Sequence, residues 1–427
     1  MISARETALR VLHEVEADGA YSNIALKKAL NASSMDRKDK ALATELVQGV
    51  VKYKKRLDYQ IQTMSTVRMK KISPWILCIL RMGLYQLQFL DRIPESAAVN
   101  ESVKLAGKYG HGAAKGFVND LLRKGKTPIL PPKEDLVLDL SVYYSYPEWM
   151  VEHLLSQMGE EKLTRFLAAE NEVPPVFVRR NELMKEQKCT NLAPSVTAPW
   201  AWELIGPVDT DEFRRGVYTV QDAASQLVAF AVAPKKGMRI LDVCAAPGGK
   251  STHMAEKMEN QGEVIACDIY EHKLELISSA AKRIGLTCVH TMKNDATFFS
   301  SDLGRFDAVL ADVPCSGLGI IRRKPDIKWN RNIEEIESLS RMGLQILSNA
   351  SKYVKTGGTL VYSTCTVTNE ENQQNVMRFL EHHPEFQLDA FGDEFPVSEY
   401  RDKAEIELYP DMYNTDGFYI CRMKRVK

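Results

Sequence analysis

The chain has 427 residues, 44% of them hydrophobic and 26% charged, and its 56 basic residues balance its 56 acidic residues. Because single cores rarely grow beyond roughly 250–300 residues, we expect more than one domain. The composition excludes long disordered segments, and the eight cysteines, none in a C-x-x-C pair, exclude a disulfide framework and a zinc ribbon.

Two features of the N-terminal region argue against export and membrane insertion. Residues 1–6 begin an amphipathic pattern rather than a signal peptide. The most apolar stretch, Trp75–Leu90, is interrupted by Arg81 and is too short to span a bilayer. The histidines form no metal-binding pattern such as H-E-x-x-H. We therefore expect a monomeric cytoplasmic protein that binds no membrane and no metal.

Residues 1–132 are predicted to form an all-helical domain. Apolar residues recur at i, i+3, i+4 and i+7 in Ala8–Val15 and again in Ala43–Val50. Further amphipathic segments are Trp75–Leu90, Ala97–Ala106 and Phe117–Leu122. Three prolines between residues 128 and 132 then indicate a linker.

The charge is unevenly distributed along the chain. Residues 1–133 contain 23 Lys and Arg against 12 Asp and Glu, whereas the remainder contains 33 against 44. A basic domain joined to an acidic one indicates that the first domain meets a polyanion. A helical surface that is merely solvated would carry the same charge, and this alternative stays open.

The second half of the chain alternates between strands and helices. Residues 133–225 form a small α+β middle region, in which Tyr146–Trp149 begins a helix and Val176–Val178 is strand-like. From residue 226 the alternation predicts an α/β fold with a doubly wound, mostly parallel sheet. Its predicted strands are Ile240–Val243, Val264–Cys267, Thr287–His290, Ala308–Ala311 and Thr359–Tyr362. A last strand, Gly417–Cys421, is predicted at the edge of the sheet.

A glycine-containing loop, Asp242–Ser251, follows the first of these strands and opens a helix. Its adjacent glycines allow close approach of a ligand, and the free N–H groups of the helix start attract negative charge. The loop departs from the nucleoside-triphosphate pattern G-x-x-x-x-G-K-[ST], because Cys244 stands at the first glycine position. Triphosphate binding is therefore disfavoured.

Acidic residues follow the next two strands. Asp268 can accept hydrogen bonds from the ribose hydroxyls of an adenosine ligand, and Asn294–Asp295 can contact an adenine edge. These features favour S-adenosylmethionine, whose carboxylate suits the helix N-terminus. A nicotinamide cofactor stays open on the glycine loop alone.

Two cysteines follow predicted strands, in Asp312–Cys315 and in Ser363–Thr366. Because ligands bind at the carboxyl ends of strands in such sheets, these thiols indicate covalent chemistry. Carbon 5 of cytosine is a poor nucleophile, but a thiolate that adds to carbon 6 creates an enamine that attacks a methyl sulfonium. The reaction also needs an acid near ring nitrogen 3 and a base for the carbon-5 proton. Cys365, Asp312 and Cys315 can supply this set.

The surroundings of Cys365 favour it as the nucleophile. Thr368–Glu371 is predicted to open a helix with a capping box, which places Cys365 just before a helix N-terminus. The partial positive charge there is expected to lower the pKa of the thiol.

These motifs identify a family resemblance. Leu241–Lys250, Asp312–Gly317 and Tyr362–Thr366 resemble the motifs of bacterial 16S ribosomal RNA cytosine-C5 methyltransferases of the Sun/Fmu type. Gln221–Gln226 and Arg322–Trp329 extend the resemblance to essentially the whole chain. It implies an all-α NusB-like RNA-binding domain over 1–132, the middle region over 133–225, and a class I (Rossmann-like) S-adenosylmethionine methyltransferase domain over 226–427.

The resemblance also implies a role for individual residues. It makes Cys365 the nucleophile and Cys315 the residue that helps product release, with Asp312 and Lys250 completing the catalytic set. Cofactor binding is assigned to Cys244, Ala245, Ala246, Pro247, Gly248, Gly249, Lys250, Asp268, Asp295 and Asp312. This chain has Asp-Val-Pro-Cys where the family usually has Asp-Ala-Pro-Cys, a change that should leave the chemistry intact.

The predicted partner is small-subunit 16S rRNA, whose target base must leave its stack to react. Residues predicted to contact the RNA backbone and stack near the flipped cytosine are Arg322, Arg323, Lys324, Lys328 and Trp329. Three alternatives stay open. A DNA-type mechanism would make Cys315 the nucleophile and leave Cys365 unexplained. The substrate could be tRNA or large-subunit rRNA, or the chain could be a non-catalytic RNA-binding assembly factor.

Overall fold

The computed structural model describes residues 2–184 and 186–427. Their contacts divide the chain into two compact units. The first unit runs to Asn171 and also includes Ile321–Asn330, and the second comprises Glu172–Ile320 and Arg331–Lys427.

The first unit is all-helical, as the apolar periodicity predicts. Ser3 caps the first helix by accepting a hydrogen bond from the Glu6 N–H, and Ser73 with Pro74 begins the helix that contains the apolar stretch noted above. The helices before residue 171 are α1 Ala4–Asp18, α2 Ser22–Asn31, α3 Arg37–Lys52, α4 Lys54–Met64, α5 Pro74–Phe89, α6 Glu95–Tyr109, α7 Ala114–Lys124, α8 Leu136–Tyr144, α9 Glu148–Met158 and α10 Glu160–Glu170. The buried faces of α1 to α7 form one apolar core around α5.

The helices that follow the proline linker belong to the same compact unit. Helix α8 packs against α4, and the Ser145 hydroxyl accepts a hydrogen bond from the Lys55 N–H at 3.0 Å. Lys52 Nζ donates to the carbonyl of Asn171. The predicted limits at residues 132 and 225 therefore do not coincide with the limits of the compact units.

The first unit also holds the segment Ile321–Asn330, which was predicted to contact RNA. Lys328 is fully buried, and its Nζ donates to the carbonyl of Lys52 at 2.7 Å. Trp329 Nε1 donates to the carbonyl of Val51 at 2.7 Å, and Asp326 accepts hydrogen bonds from both the N–H and the hydroxyl of Ser22.

The residues of this segment differ in burial. The Arg322 N–H donates to Glu170 Oε2 at 2.5 Å, and Arg322 is only 6% exposed. The Lys328 amine and the Trp329 indole donate within the protein, and Arg322 is held through its main-chain N–H. Arg322 and Lys328 are buried, which argues against direct contact of these two side chains with RNA. The RNA contacts predicted for Arg323 and Trp329, which are half-buried, and for Lys324, which is exposed, stay predictions.

The second unit begins with a small antiparallel sheet, in line with an α+β middle region. Its strands are β1 Phe177–Arg180, β2 Leu192–Pro194, β3 Trp202–Leu204 and β4 Tyr218–Val220. They lie in the order β2-β3-β1-β4.

A second, larger sheet forms the core of this unit. Its strands are β5 Arg239–Asp242, β6 Glu263–Asp268, β7 Val289–Lys293, β8 Phe306–Asp312, β9 Val354–Thr364, β10 Phe386–Leu388, β11 Glu405–Leu408 and β12 Phe418–Arg425. The order β10-β12-β9-β8-β5-β6-β7 is parallel from β9 to β7. The predicted parallel sheet is confirmed.

Helices cover both faces of the large sheet. The remaining helices of the chain are α11 Asp211–Arg214, α12 Ala223–Val232, α13 Gly249–Lys257, α14 Glu271–Ile284, α15 Ile327–Asn330 (in the first unit), α16 Ile333–Ser351, α17 Gln373–His382 and α18 Pro410–Tyr413. Helices α12, α13 and α14 pack on one face, and α16 and α17 pack on the other. Alternate strand residues, such as Ile240 and Leu241, enter the two cores, as expected for a doubly wound sheet.

The last strand does not lie at the edge of the sheet. Strand β12 pairs antiparallel with β9 on one side and with β10 and β11 on the other. The prediction of an edge strand is wrong because two short segments, Phe386–Leu388 and Glu405–Leu408, supply further partners. None of the helices in the described ranges has the length and apolar character needed to cross a membrane.

Candidate active site

The order of the large sheet reverses beside β5. The chain proceeds from β5 to β6 and β7 on one side, then crosses to β8 and β9 on the other. Ligands in open α/β sheets bind at such a switch point, outside the carboxyl ends of the strands. Asp242 and Asp312 are the last residues of β5 and β8, and Cys365 follows β9 directly.

The two predicted cysteines meet at this edge of the sheet. The Sγ atoms of Cys315 and Cys365 lie 3.2 Å apart, and the Cys365 N–H donates to Cys315 Sγ at 3.3 Å. Both side chains are partly exposed. Residues 50 positions apart in the chain thus form a single dithiol pair.

The two thiols differ in their electrostatic surroundings. The pKa of Cys315 is raised well above its usual value, first by its hydrogen bond with Cys365, then by burial and by the negative charges of Cys365 and Glu371. Cys315 therefore keeps its proton at neutral pH, and its S–H is available to donate to the sulfur of Cys365.

Lys250 brings a positive charge to the same place. Its Nζ donates to Asp312 Oδ2 at 2.6 Å, and the Ser363 hydroxyl donates to Asp312 Oδ1 at 2.7 Å. Burial alone would lower the pKa of Lys250, but the charges of Asp312, Cys365 and Asp242 outweigh burial and raise it. Lys250 is therefore an ammonium, and a neighbouring cation favours the thiolate form of a cysteine.

The helix predicted just after Cys365 begins later than expected. Helix α17 starts at Gln373, eight residues beyond Cys365, and the hydroxyl of Thr368 donates to the Glu371 carboxylate instead of capping a helix. The field of a helix terminus falls off within its first turn. The predicted effect of a helix N-terminus on Cys365 is therefore wrong, and the positive charge near this thiol comes from Lys250.

Gly319, which the sequence patterns did not single out, connects the two cysteine loops. Its N–H donates to the carbonyl of Cys365 at 3.1 Å, and its carbonyl accepts from the Gly417 N–H at 2.7 Å. A Cβ atom on Gly319 would lie 2.1 Å from the carbonyl oxygen of Gly417. Only glycine allows this close approach.

The glycine loop closes over the end of β5. The Ala245 N–H donates to the carbonyl of Cys267 at 2.7 Å, and Gly248 adopts a φ of +100° immediately before α13. This left-handed conformation favours glycine. The first N–H groups of a helix lack partners within it, so the start of α13 suits an anionic group of a ligand. Cofactor binding by Cys244–Lys250 stays a prediction.

Arg179 braces this loop from the small sheet, 70 positions earlier in the chain. Its buried guanidinium donates to the carbonyl of Gly249 at 3.0 Å, to the hydroxyl of Thr252 at 3.0 Å and to Glu256 Oε1 at 2.8 Å. The sequence carried no signal for this residue, because its partners are distant in the chain.

The acids beyond β6 and β7 are placed differently from each other. Asp268 ends β6, is buried, and accepts a hydrogen bond from the Tyr270 N–H at 3.0 Å. Asp295 Oδ1 accepts hydrogen bonds from both the N–H and the hydroxyl of Thr297, so one of its oxygens serves its own loop. The cofactor contact predicted for Asp295 stays a prediction.

Two buried polar atoms at the strand ends have no hydrogen-bond partner among residues 2–184 and 186–427. They are Asp242 Oδ1 and Asn294 Nδ2. Burial raises the pKa of Asp242 to about 7, and its other oxygen accepts from the Ser251 hydroxyl at 2.6 Å. An orphaned amide donor at β7, a carboxylate at β6 and a glycine loop at β5 fit a nucleoside bearing an amino-acid group. Across those same ranges, no group of three or more His, Cys, Asp or Glu side chains could hold a metal ion.

Family models and relatives match most of the chain. The model of the NusB family matches residues 2–126, and that of the 16S rRNA methyltransferase RsmB/F matches residues 229–424. The chain is 36% identical to the probable ribosomal RNA small subunit methyltransferase B of Bacillus subtilis (strain 168), over 99% of each chain. It is 32% identical to the ribosomal RNA small subunit methyltransferase B of Klebsiella pneumoniae (strain 342), over 99% of this chain and 98% of that one.

Solved structures share the fold. The crystal structure of PH0851 has a TM-score of 0.79 at 24% identity and covers 98% of each chain. NSun6 from Pyrococcus horikoshii with SFG has a TM-score of 0.58 at 21% identity, over 66% of this chain and 99% of that one. The predicted α/β methyltransferase fold and its helical NusB domain are confirmed. By its full-length identity to these relatives, the chain belongs to the ribosomal RNA small subunit methyltransferase B family.

Proposed function

We propose that this protein transfers a methyl group from S-adenosylmethionine to carbon 5 of a specific cytosine in 16S rRNA, through a covalent bond between Cys365 and carbon 6. Methylation of small-subunit rRNA is the activity of the family to which the chain belongs. The observation that carries the finer proposal is the 3.2 Å separation of the two Sγ atoms at the switch point of the sheet.

Cys365 is the nucleophile in this proposal. Its thiolate adds to carbon 6 of the flipped cytosine, and the electron pair of the ring double bond becomes available at carbon 5. The Lys250 ammonium and the Cys315 S–H stabilise the thiolate before it attacks. S-adenosylmethionine supplies an electrophilic methyl group carried on a sulfonium.

Asp312 and Lys250 act on the other side of the reacting ring. The hydrogen bonds from Lys250 Nζ and the Ser363 hydroxyl fix both oxygens of the Asp312 carboxyl group. We assign this pair to ring nitrogen 3, where a hydrogen bond or a proton offsets the negative charge that develops as sulfur adds to carbon 6.

Cys315 completes the reaction by removing the carbon-5 proton. The largest cause that raises the pKa of Cys315 is its hydrogen bond with Cys365. That cause disappears once the sulfur of Cys365 is bonded to carbon 6, so Cys315 can then lose its proton and serve as the base. Loss of the carbon-5 proton restores the ring double bond and expels the Cys365 thiolate.

Mapping of the methylated base tests the proposed substrate. The full-length protein is incubated with S-adenosylmethionine and protein-free total RNA, and new 5-methylcytosine is mapped by bisulfite sequencing. We expect one modified position, in small-subunit rRNA. Modification confined to tRNA or to large-subunit rRNA would overturn the proposed substrate.

The same reaction with variants separates the two cysteines. Cys315→Ala is expected to accumulate an RNA–protein adduct that survives denaturing electrophoresis, whereas Cys365→Ala and the double variant form none. Cys189→Ala, which changes a partly exposed cysteine of the small-sheet region, is the matched control and should behave as wild type. An adduct in Cys365→Ala but not in Cys315→Ala would reverse the assignment and favour the DNA-type mechanism.

A further inference from the structure

A buried carboxylate lies between the two cysteine loops. Glu371 is 1% exposed. Its Oε1 accepts a hydrogen bond from the Ser316 N–H at 2.7 Å, and its Oε2 accepts from the hydroxyls of Ser316 and Thr368 at 2.6 and 2.7 Å. Both oxygens of one side chain therefore serve the residue that directly follows Cys315.

The same network reaches the residue that follows Cys365. The hydroxyls of Ser316 and Thr366 lie 2.7 Å apart, and both are fully buried. The main chain of Glu371 is fixed as well, because its carbonyl accepts from the Tyr362 hydroxyl at 2.5 Å. The carboxylate thus connects the loop after β8 with the loop after β9 through donors that stand beside each thiol.

Burial at this position destabilises the charged form of a carboxyl group. Burial raises the pKa of Glu371 above its usual value, and the hydrogen bonds from Ser316, Thr368 and Thr366 offset burial only in part. A neutral apolar side chain would avoid this cost but would leave the Ser316 N–H and several hydroxyls without an acceptor. The hydrogen bonds of Glu371 therefore connect the two loops, although desolvation of its carboxylate is unfavourable.

We propose that Glu371 is a positioning residue that ties the loop of Cys315 to the loop of Cys365 and sets the distance between the two thiols. The proposal deepens the proposed two-cysteine function and rests on it. Glu371 touches no reacting atom. It acts through Ser316 and Thr366, and it keeps the Cys315 S–H close enough to share its proton with Cys365.

Closure of a disulfide measures this distance without any methylation. In wild type, the thiolate of one cysteine attacks oxidised glutathione and releases one glutathione thiolate. The second cysteine, as its thiolate, then attacks the mixed disulfide, and the second glutathione leaves. One oxidised glutathione is thus reduced to two thiols as Cys315 and Cys365 become a disulfide. Mass spectrometry of the full-length protein follows the mixed disulfide and the closed form over time.

We expect wild type to close so quickly that the mixed disulfide hardly accumulates. Glu371→Ala should slow closure at least tenfold, and the mixed disulfide should persist. Glu371→Gln keeps one acceptor oxygen, and its side-chain N–H can donate to the oxygen atoms of the hydroxyls once these hydroxyls rotate. The rate of closure should therefore stay within a few fold of the wild-type rate. The matched control is Asp307→Asn, a carboxylate that accepts hydrogen bonds at the opposite end of β8 and should not alter closure.

Further variants keep the test decisive if Glu371→Ala does not fold. Ser316→Ala and Thr368→Val each remove part of the network, and each should slow closure while the circular dichroism spectrum stays native. Closure at the wild-type rate in folded Glu371→Ala, or in both of these variants, would overturn the positioning role. If closure slows as expected but Cys315→Ala forms no RNA adduct, the proposed catalytic function fails while the positioning role stands.

Discussion

Replacing Arg179 by Met should selectively destabilise the helix that carries the glycine loop. Arg179 is 4% exposed and donates to both oxygens of Glu256, which is itself fully buried. Further hydrogen bonds join it to the carbonyl of Gly249 and to the hydroxyl of Thr252. These three partners lie on α13, and a fourth, Gln221, lies outside it. The loss of one side chain therefore removes these contacts from the first two turns of the helix.

The expected loss of unfolding free energy follows from the burial of this ion pair. Breaking a buried ion pair by removing one partner costs about 3–5 kcal/mol, because the remaining charge is left without compensation. Replacing both partners by apolar side chains removes that orphaned charge. We therefore expect Arg179→Met with Glu256→Met to be more stable than Arg179→Met alone. For an exposed pair the corresponding cost is about 0–1 kcal/mol, and Arg214 with Asp209 is such a pair.

Two measurements test this expectation. Urea unfolding gives the free energies of wild type, both single variants and the double variant, with Arg214→Met as the exposed control. Hydrogen exchange of peptides from α13 reports whether the loss is local, and the affinity for S-adenosylmethionine should weaken in parallel. The reasoning is refuted if Arg179→Met lies within 1 kcal/mol of wild type, or if the double variant is no more stable than the single one.

Three further predictions concern buried groups. Asp242 has a folded pKa of about 7 and an unfolded pKa near 3.9, so its favourable contribution is lost as pH rises from about 4 to about 7. Relative to Asp242→Asn, the unfolding free energy of wild type should fall over that window by up to about 4 kcal/mol, and a flat difference would contradict this. Burial and the neighbouring Lys52 lower the pKa of Lys328, so the unfolded chain binds a proton that the folded chain does not. Wild type should therefore gain stability relative to Lys328→Met as pH rises towards about 10.4, and urea titrations at several pH values that show no gain would refute this. Gly319→Ala should reduce the kcat of methylation and slow closure of the Cys315–Cys365 disulfide, because its Cβ would displace the backbone of Gly417; unchanged rates of both would show that the loops tolerate the shift.

Local patterns were sufficient for most of the secondary structure. Apolar spacing predicted α1, α3 and α5 because it depends on residues one turn apart. The five parallel strands were predicted within a few residues, since β5, β6, β8 and β9 contain apolar runs that are buried on both faces. Strand β7 lies at the edge of the sheet and is mostly exposed. The start of α17 was misplaced because the Thr368 hydroxyl donates to the Glu371 carboxylate, which also accepts from Ser316, 55 residues away, instead of forming a capping box.

The parts of the candidate site that were predicted correctly are motifs that directly follow predicted strands. Parallel strands bring their carboxyl ends to one edge, so Cys315, Cys365, Asp312 and the glycine loop could be placed together before any coordinates were known. The roles of these residues depend on distances and contacts between their side chains. The contact of Lys250 with Asp312 and the 3.2 Å separation of the sulfurs are properties of the folded molecule alone.

The sequence by itself therefore determined the family, the class of fold and the residues that meet at the active edge, because each is encoded within a few neighbouring positions. Only the tertiary structure decided which polar groups are buried and by what they are held. Lys328 contacts the backbone of Lys52 across 276 positions, and Arg179 contacts Glu256 across 77. Solvation and charge compensation at such distances depend on the packing of the whole chain, so the sequence could not show that Arg322 and Lys328, in a segment predicted to contact RNA, are buried.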